Sequence, residues 1–245
     1  MDAKNFIKFR EKSVEKLDDL LKTFCLTENF SRINRLLDVE ETDIKKVVEF
    51  VISSFKGKKR KDGKNLATHS LQLFINAKYF KIKNKTLLKL ILLHDILEDT
   101  EKTKGDLEKN FGNKLSNLVD LMTEKKELRK SLGKYESQRI FIDQLKKGGK
   151  TILITEALDR IDDISDMNYL FKGLSKNRNF TLNLIANKLA KCKVTIDILA
   201  ENVIIRNKII NFFYKLYQYQ IRSFKISQKL INKKIKRYIN KPLTK

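Results

Sequence analysis

The chain has 245 residues, 41% hydrophobic and 34% charged, enough to bury the core of a large domain and too apolar to be disordered throughout. It has no run of about 20 uncharged apolar residues, and Met1 to Arg10 mixes Asp, Lys and Arg where a secretory signal would be apolar, so a cytoplasmic protein without a membrane span is expected. The formal charge of +23 points to a polyanionic partner or an anionic substrate; residues 171–245 hold 18 Lys/Arg against 2 Asp/Glu, and residues 1–170 hold 35 against 28.

Pro242 is the only proline and there are only eight glycines, so long helices run without interruption and tight hairpins have little to build on. The fold class expected is all-α. Val14, Leu17, Leu20, Leu21 and Phe24 share one helical face, and Val47, Val48, Val51 and Ile52 repeat the pattern within Ile44 to Phe55. Lys56 to Lys64 is a basic, glycine-punctuated loop, and a helix through His69 to Ala77 follows it. From Thr86 to Asp99 one helix is predicted, buried on most sides, with His94 and Glu98, and Asp95 and Asp99, each four residues apart on one face. Thr103 and Asp106 cap a short helix that Gly112 ends. Helices over Asn113 to Met122, Tyr135 to Leu145 and Thr151 to Ile164 complete the run, with Gly148 and Gly149 marking the last connection.

Between Asn202 and Ile239 an apolar stripe through Ile210, Phe213, Tyr217, Ile221, Phe224, Ile231, Ile235 and Tyr238 predicts one long basic amphipathic helix, or two in tandem. Docking of the apolar face on the domain is the favoured reading; binding to RNA, the ribosome or an anionic membrane is the other. Residues 1–200 are expected to form the main domain and 201–245 a basic helical extension. Cys25 and Cys192 stand far apart in no metal-type spacing and are expected as reduced buried thiols.

The chemistry centres on two histidines, the only ones in the chain. His94 and Asp95 follow an apolar run, where ionised carboxylates are costly unless paired, and a divalent cation is a partner that accounts for them. A His-Asp dipeptide alone is weak evidence. His69 lies one helix upstream, and Asp159 lies among apolar residues further on. Two His and two Asp offer mixed nitrogen and oxygen ligation suited to Mn²⁺, Fe²⁺, Mg²⁺ or Zn²⁺. Read singly, His69 is an ordinary helix histidine and Asp159 a salt-bridge partner.

Three ordered motifs resemble the HD-domain hydrolases of RelA/SpoT type, in particular the small alarmone hydrolases. Arg60, Gly63 and His69 match the first in spacing, with Asn65-Leu66 where the family has Pro-Tyr. His94-Asp95-Ile96-Leu97-Glu98-Asp99-Thr100 is close to the second, and Asp106 to Gly112 followed by Leu118 to Thr123 continues as the family does. Ala157-Leu158-Asp159-Arg160-Ile161-Asp162-Asp163 follows the third, with Asp162-Asp163 in place of His-Asn. The resemblance spans roughly residues 45–170 and lies in the ordered set rather than in any one fragment.

The resemblance implies an HD-domain helical bundle in which His69, His94, Asp95 and Asp159 hold one divalent metal, usually Mn²⁺. It implies that Glu98 and Asp99 orient or deprotonate the attacking water or assist the leaving group, and that Arg60, Lys61 and Asp163 contact the guanosine nucleotide. Lys125 and Lys126 read as free surface lysines, with the phosphate-binding rim as the lesser alternative. The activity implied is removal of the 3′-diphosphate of (p)ppGpp, giving GDP or GTP and pyrophosphate, which degrades the alarmone of the stringent response. Two alternatives stay open: hydrolysis of another phosphorylated nucleotide, and a non-catalytic HD protein that binds a nucleotide or RNA.

Overall fold

A computed structural model describes residues 2–27, 30–60, 63–167, 178–202 and 208–239. Among them no β-strand forms; one isolated bridge pairs Lys59 with Asn65. The chain divides into two compact units, Lys8–Thr123 and Met1–Ile7 with Glu124–Lys245.

The first unit holds most of α1 (Ala3–Thr27), then α2 (Phe30–Leu36), α3 (Thr42–Ser54), α4 (Ala67–Tyr79), α5 (Lys85–Leu93), α6 (Ile96–Asp99), α7 (Lys104–Phe111) and α8 (Asn113–Met122). The apolar faces expected of α1 and α3 are buried, among them Leu17, Leu21, Val47, Val48 and Val51. Helix α5 is the centre of this unit and packs on α3, α4 and α8. Its buried residues are Leu87, Leu88, Leu90, Ile91, Leu92 and Leu93, each worth about 1.5–3 kcal/mol when removed from water. Lys89 interrupts that run and ends on Asp43 of α3 at 2.6 Å. Asn84 caps the start of α5, its side-chain oxygen accepting from the Leu87 amide at 2.9 Å.

The capping expectation for α7 holds in both directions. The Thr103 hydroxyl accepts from the Asp106 amide, and the Asp106 carboxylate accepts from the Thr103 amide at 2.8 Å. Gly112 closes that helix and opens α8 at φ 84°, ψ 160°, a backbone region essentially reserved for glycine.

One expectation is corrected. Thr86 to Asp99 is not a single helix: α5 ends at Leu93, His94 and Asp95 form a turn, and the four-residue α6 follows. The His94 side chain supplies the reason. Its Nδ1 lies 2.9 Å from the Ile91 carbonyl, the acceptor an unbroken helix would offer to the Asp95 amide. Asp95 relaxes to φ −94°, ψ −2°, and its carbonyl starts the next turn by accepting from Glu98 and Asp99.

The second unit contains α9 (Lys126–Lys147), α10 (Gly149–Ser165), α11 (Arg178–Asn202), α12 (Lys208–Phe224) and α13 (Gln228–Ile239). Helix α9 bends at Gly133, whose φ of 78° lies outside the helical region. Helix α10 packs on α9, α11 and α12, while α11 also meets α12 and α13, and α13 lies on α9. The residues expected as a basic extension thus supply α12 and α13, the tandem pair. Their stripe is buried at Ile210, Phe213, Tyr217, Phe224, Ile231 and Tyr238, and half-buried at Ile221 and Ile235.

Helix α11 was not foreseen in the sequence. Its inward residues, Ile185, Ala186, Leu189, Ala190, Cys192, Val194, Ile196, Ile198 and Leu199, spread around most of the helix, so no single stripe marks it. Cys192 is a free buried thiol, as expected, and burial pushes its pKa up. The Cys25 side chain lies outside the described residues.

A candidate metal centre

The loop before α4 sets the first ligand. Its backbone closes on itself through Arg60 N to Lys64 O at 2.8 Å and Leu66 N to Lys58 O at 3.0 Å, with Gly63 at φ 85°. The Asn65 side chain then accepts from the Ala67 amide at 2.9 Å, so the residue standing where the resembled family has proline holds the first amide of α4. His69 follows in the first turn of α4, and α4 packs on α5, whose C-terminal end carries His94 and Asp95.

His69, His94 and Asp95 bring their donor atoms within 4.8 Å of one another. Asp95 faces both rings: Oδ1 is 3.2 Å from His94 Nε2 and Oδ2 is 3.6 Å from His69 Nε2. The ring centroids are 5.3 Å apart with planes at 59°. With His94 Nδ1 committed to the Ile91 carbonyl, Nε2 is the nitrogen turned to the cluster, and a proton donated by Nδ1 to that carbonyl would hold the ring in the tautomer a metal needs. The carbonyl end of α5 adds partial negative charge beside it. Two imidazoles and a carboxylate, converging from two packed helices, fit a divalent cation of Mn²⁺, Fe²⁺ or Zn²⁺ type.

Glu98 and Asp99 lie on α6, half-buried, with their amides donating to the Asp95 carbonyl at 3.1 and 2.9 Å. The expected site carboxylates therefore follow directly on the His94–Asp95 turn. Arg60 is half-buried in the loop leading to α4. Lys61 lies outside the described residues.

Asp159 and Asp163 belong to the second unit, on α10. There Arg160 forms three ion pairs along its own helix: Nε with Glu156 at 2.7 Å, Nη2 with Asp159 at 2.6 Å and Nη1 with Asp163 at 2.5 Å. From α11, Lys188 reaches Asp163 at 3.0 Å. Burial works against the Arg160 charge, but the carboxylates of Asp159, Glu156 and Asp163 hold its pKa above the ordinary value. Burial likewise opposes ionisation of Asp163, and Lys188 and Arg160 outweigh it to lower that pKa. In the sequence only Asp159 reads as a salt-bridge partner; the three- and four-residue spacing of Glu156, Arg160 and Asp163 is the signal that could have shown the row. Lys188 carried no such signal, because α11 itself went unread.

The computed fold resembles that of a metazoan ortholog of SpoT, described as hydrolysing ppGpp, with a TM-score of 0.58 over 77% of this chain and 98% of that one, at 19% identity. At that identity the likeness is one of fold. In sequence, 125 residues are 26% identical to a guanosine-3′,5′-bis(diphosphate) 3′-pyrophosphohydrolase of Aquifex aeolicus, covering 51% of this chain and 18% of that protein. The enzyme of the same name called MESH1 from Drosophila melanogaster is 33% identical over 86 residues, 35% of this chain and 46% of its own length. Human MESH1 is 29% identical over 87 residues. The chain thus spans less than half the length of these curated relatives. No family model matches it.

Proposed function

We propose that this protein is a cytoplasmic, manganese-dependent hydrolase that removes the 3′-diphosphate of (p)ppGpp, releasing pyrophosphate and GDP or GTP. The observation that carries the reading is the His69, His94 and Asp95 cluster, and it is supported by partial similarity to proteins named for this reaction. Asp159 is proposed as the fourth ligand on the strength of its motif. A divalent cation held by these residues would supply Lewis acidity, making water easier to deprotonate and offsetting charge on the phosphate oxygens.

The remaining work falls to the chain's own groups. Glu98 or Asp99 accepts a proton from the attacking water, whose oxygen bonds to the phosphorus carried by the 3′-oxygen. The bond from phosphorus to the 3′-oxygen breaks, and that oxygen takes up a proton. Arg60 and Lys61 hold the nucleotide, where a guanidinium suits both phosphate and base. Asp163, at the position of the resembled family's Asn, would contact the nucleotide.

Incubation of the manganese-loaded protein with guanosine 3′,5′-bis(diphosphate), beside Asp95→Ala, tests this. Pyrophosphate is expected from the intact protein only. Metal-loaded protein that leaves the substrate whole, yet cleaves another phosphorylated nucleotide from a panel, would overturn the substrate. Asp162-Asp163, in place of the expected His-Asn, makes that panel the necessary companion.

A further inference from the structure

The described stretch Lys208–Ile239 holds nine Lys/Arg and no Asp or Glu. Lys208, Lys215 and Arg222 are all exposed and recur every seven residues along α12, roughly 10 Å apart at ~1.5 Å rise per residue. Lys229, Lys233 and Lys236 continue as an exposed row on α13. Among the described residues none of these six cations has an ion-pair partner. The first unit differs: Lys22, Lys78 and Lys89 each sit on a carboxylate. Like charges held together without compensation repel one another, a cost a bound polyanion would remove.

The patch continues onto α9. Tyr135 pairs edge-on with Tyr238 of α13 at 5.3 Å, and its ring has Arg237 at 5.9 Å and Lys134 at 6.0 Å. Exposed Asn211, Ser223, Ser227, Gln228 and Asn232 add hydrogen-bonding groups between the cations.

We propose that this face of α12, α13 and α9 binds single-stranded RNA through its backbone. Unpaired cations at regular spacing suit phosphates, a half-buried aromatic flanked by cations suits a stacked base, and exposed amides and hydroxyls suit the 2′-hydroxyl. An anionic membrane is the poorer partner, because the apolar stripe an interfacial helix would insert is already buried at Phe213, Tyr217, Phe224, Ile231 and Tyr238. The proposal is independent of the hydrolase reading.

Fluorescence anisotropy with a labelled mixed-sequence 20-nucleotide RNA, without any nucleotide substrate, tests it. Binding should weaken with salt, and Lys215→Gln/Arg222→Gln/Lys229→Gln/Lys233→Gln should lower affinity at least about tenfold at ~0.1 M salt, reducing the log-log slope by about 2–3. The control Lys12→Gln/Lys16→Gln/Lys46→Gln/Lys109→Gln removes the same charge from exposed positions of the first unit and should cost less than about twofold. Circular dichroism checks that both variants stay folded. Equal losses in the two variants, no binding by the intact protein, or tighter binding to phosphatidylserine-containing vesicles than to RNA would each overturn the proposal.

Discussion

Arg160 is the hub of an ion-pair cluster in the second unit. It is about nine-tenths buried, and three carboxylates of its own helix converge on it. Arg160→Met would leave Glu156, Asp159 and Asp163 crowded without their counter-ion, and urea denaturation should show a loss of about 3–5 kcal/mol. Arg160→Lys should recover only part of it, since an ammonium cannot reach three carboxylates with a planar fork. A stability within 1 kcal/mol of the parent, roughly the ceiling for a surface ion pair, would show the cluster to be solvated rather than structural.

The same cluster gives a pH dependence whose sign is fixed. Asp163 has a lowered pKa in the folded protein, so its contribution is present above the unfolded carboxyl value of about 3.9 and is lost as pH falls through the lower folded value. Urea midpoints measured from about pH 5 downward should fall, and Lys188→Met should make that fall shallower by removing the largest source of the lowered pKa. An unchanged slope would detach Lys188 from this effect.

At the scale of elements, the breaks matter as much as the helices. Gly112 joins α7 to α8 at a φ and ψ that an L side chain resists, although a Cβ there would meet nothing within 4 Å. Gly112→Ala should therefore cost about 1–3 kcal/mol through backbone strain alone, with no packing term. Denaturation of the variant checks this, and a neutral result would mean the turn can change its conformation. The break at His94 has a different origin, in a side chain that takes a backbone acceptor. Periodicity cannot report it, because the apolar run on either side continues in helical phase.

For the whole molecule, the charge of +23 sets a background repulsion that salt screens. Raising sodium chloride from about 0.01 to about 0.1 M shortens the screening length from ~30 to ~10 Å, and the thermal midpoint should rise. A falling midpoint would mean that the ion pairs of α10 and of the first unit outweigh the net repulsion.

Chain chemistry alone determined the helical class, the positions of α3, α7 and α8, the caps at Thr103 and Gly112, the basic tandem at the C-terminus, and the pairing of His69 with His94 and Asp95 as candidate ligands. All but the last are local properties, written in spacing and composition; the last rests on an ordered set of motifs. Tertiary structure decided three things that spacing does not encode. It ended α5 at Leu93, because the His94 ring competes for the Ile91 carbonyl. It made α11 a helix without a visible stripe, because burial on most sides erases amphipathic contrast. It also joined Asp163 to Lys188, 25 residues away, because a half-buried carboxylate takes whichever cation packing brings within reach.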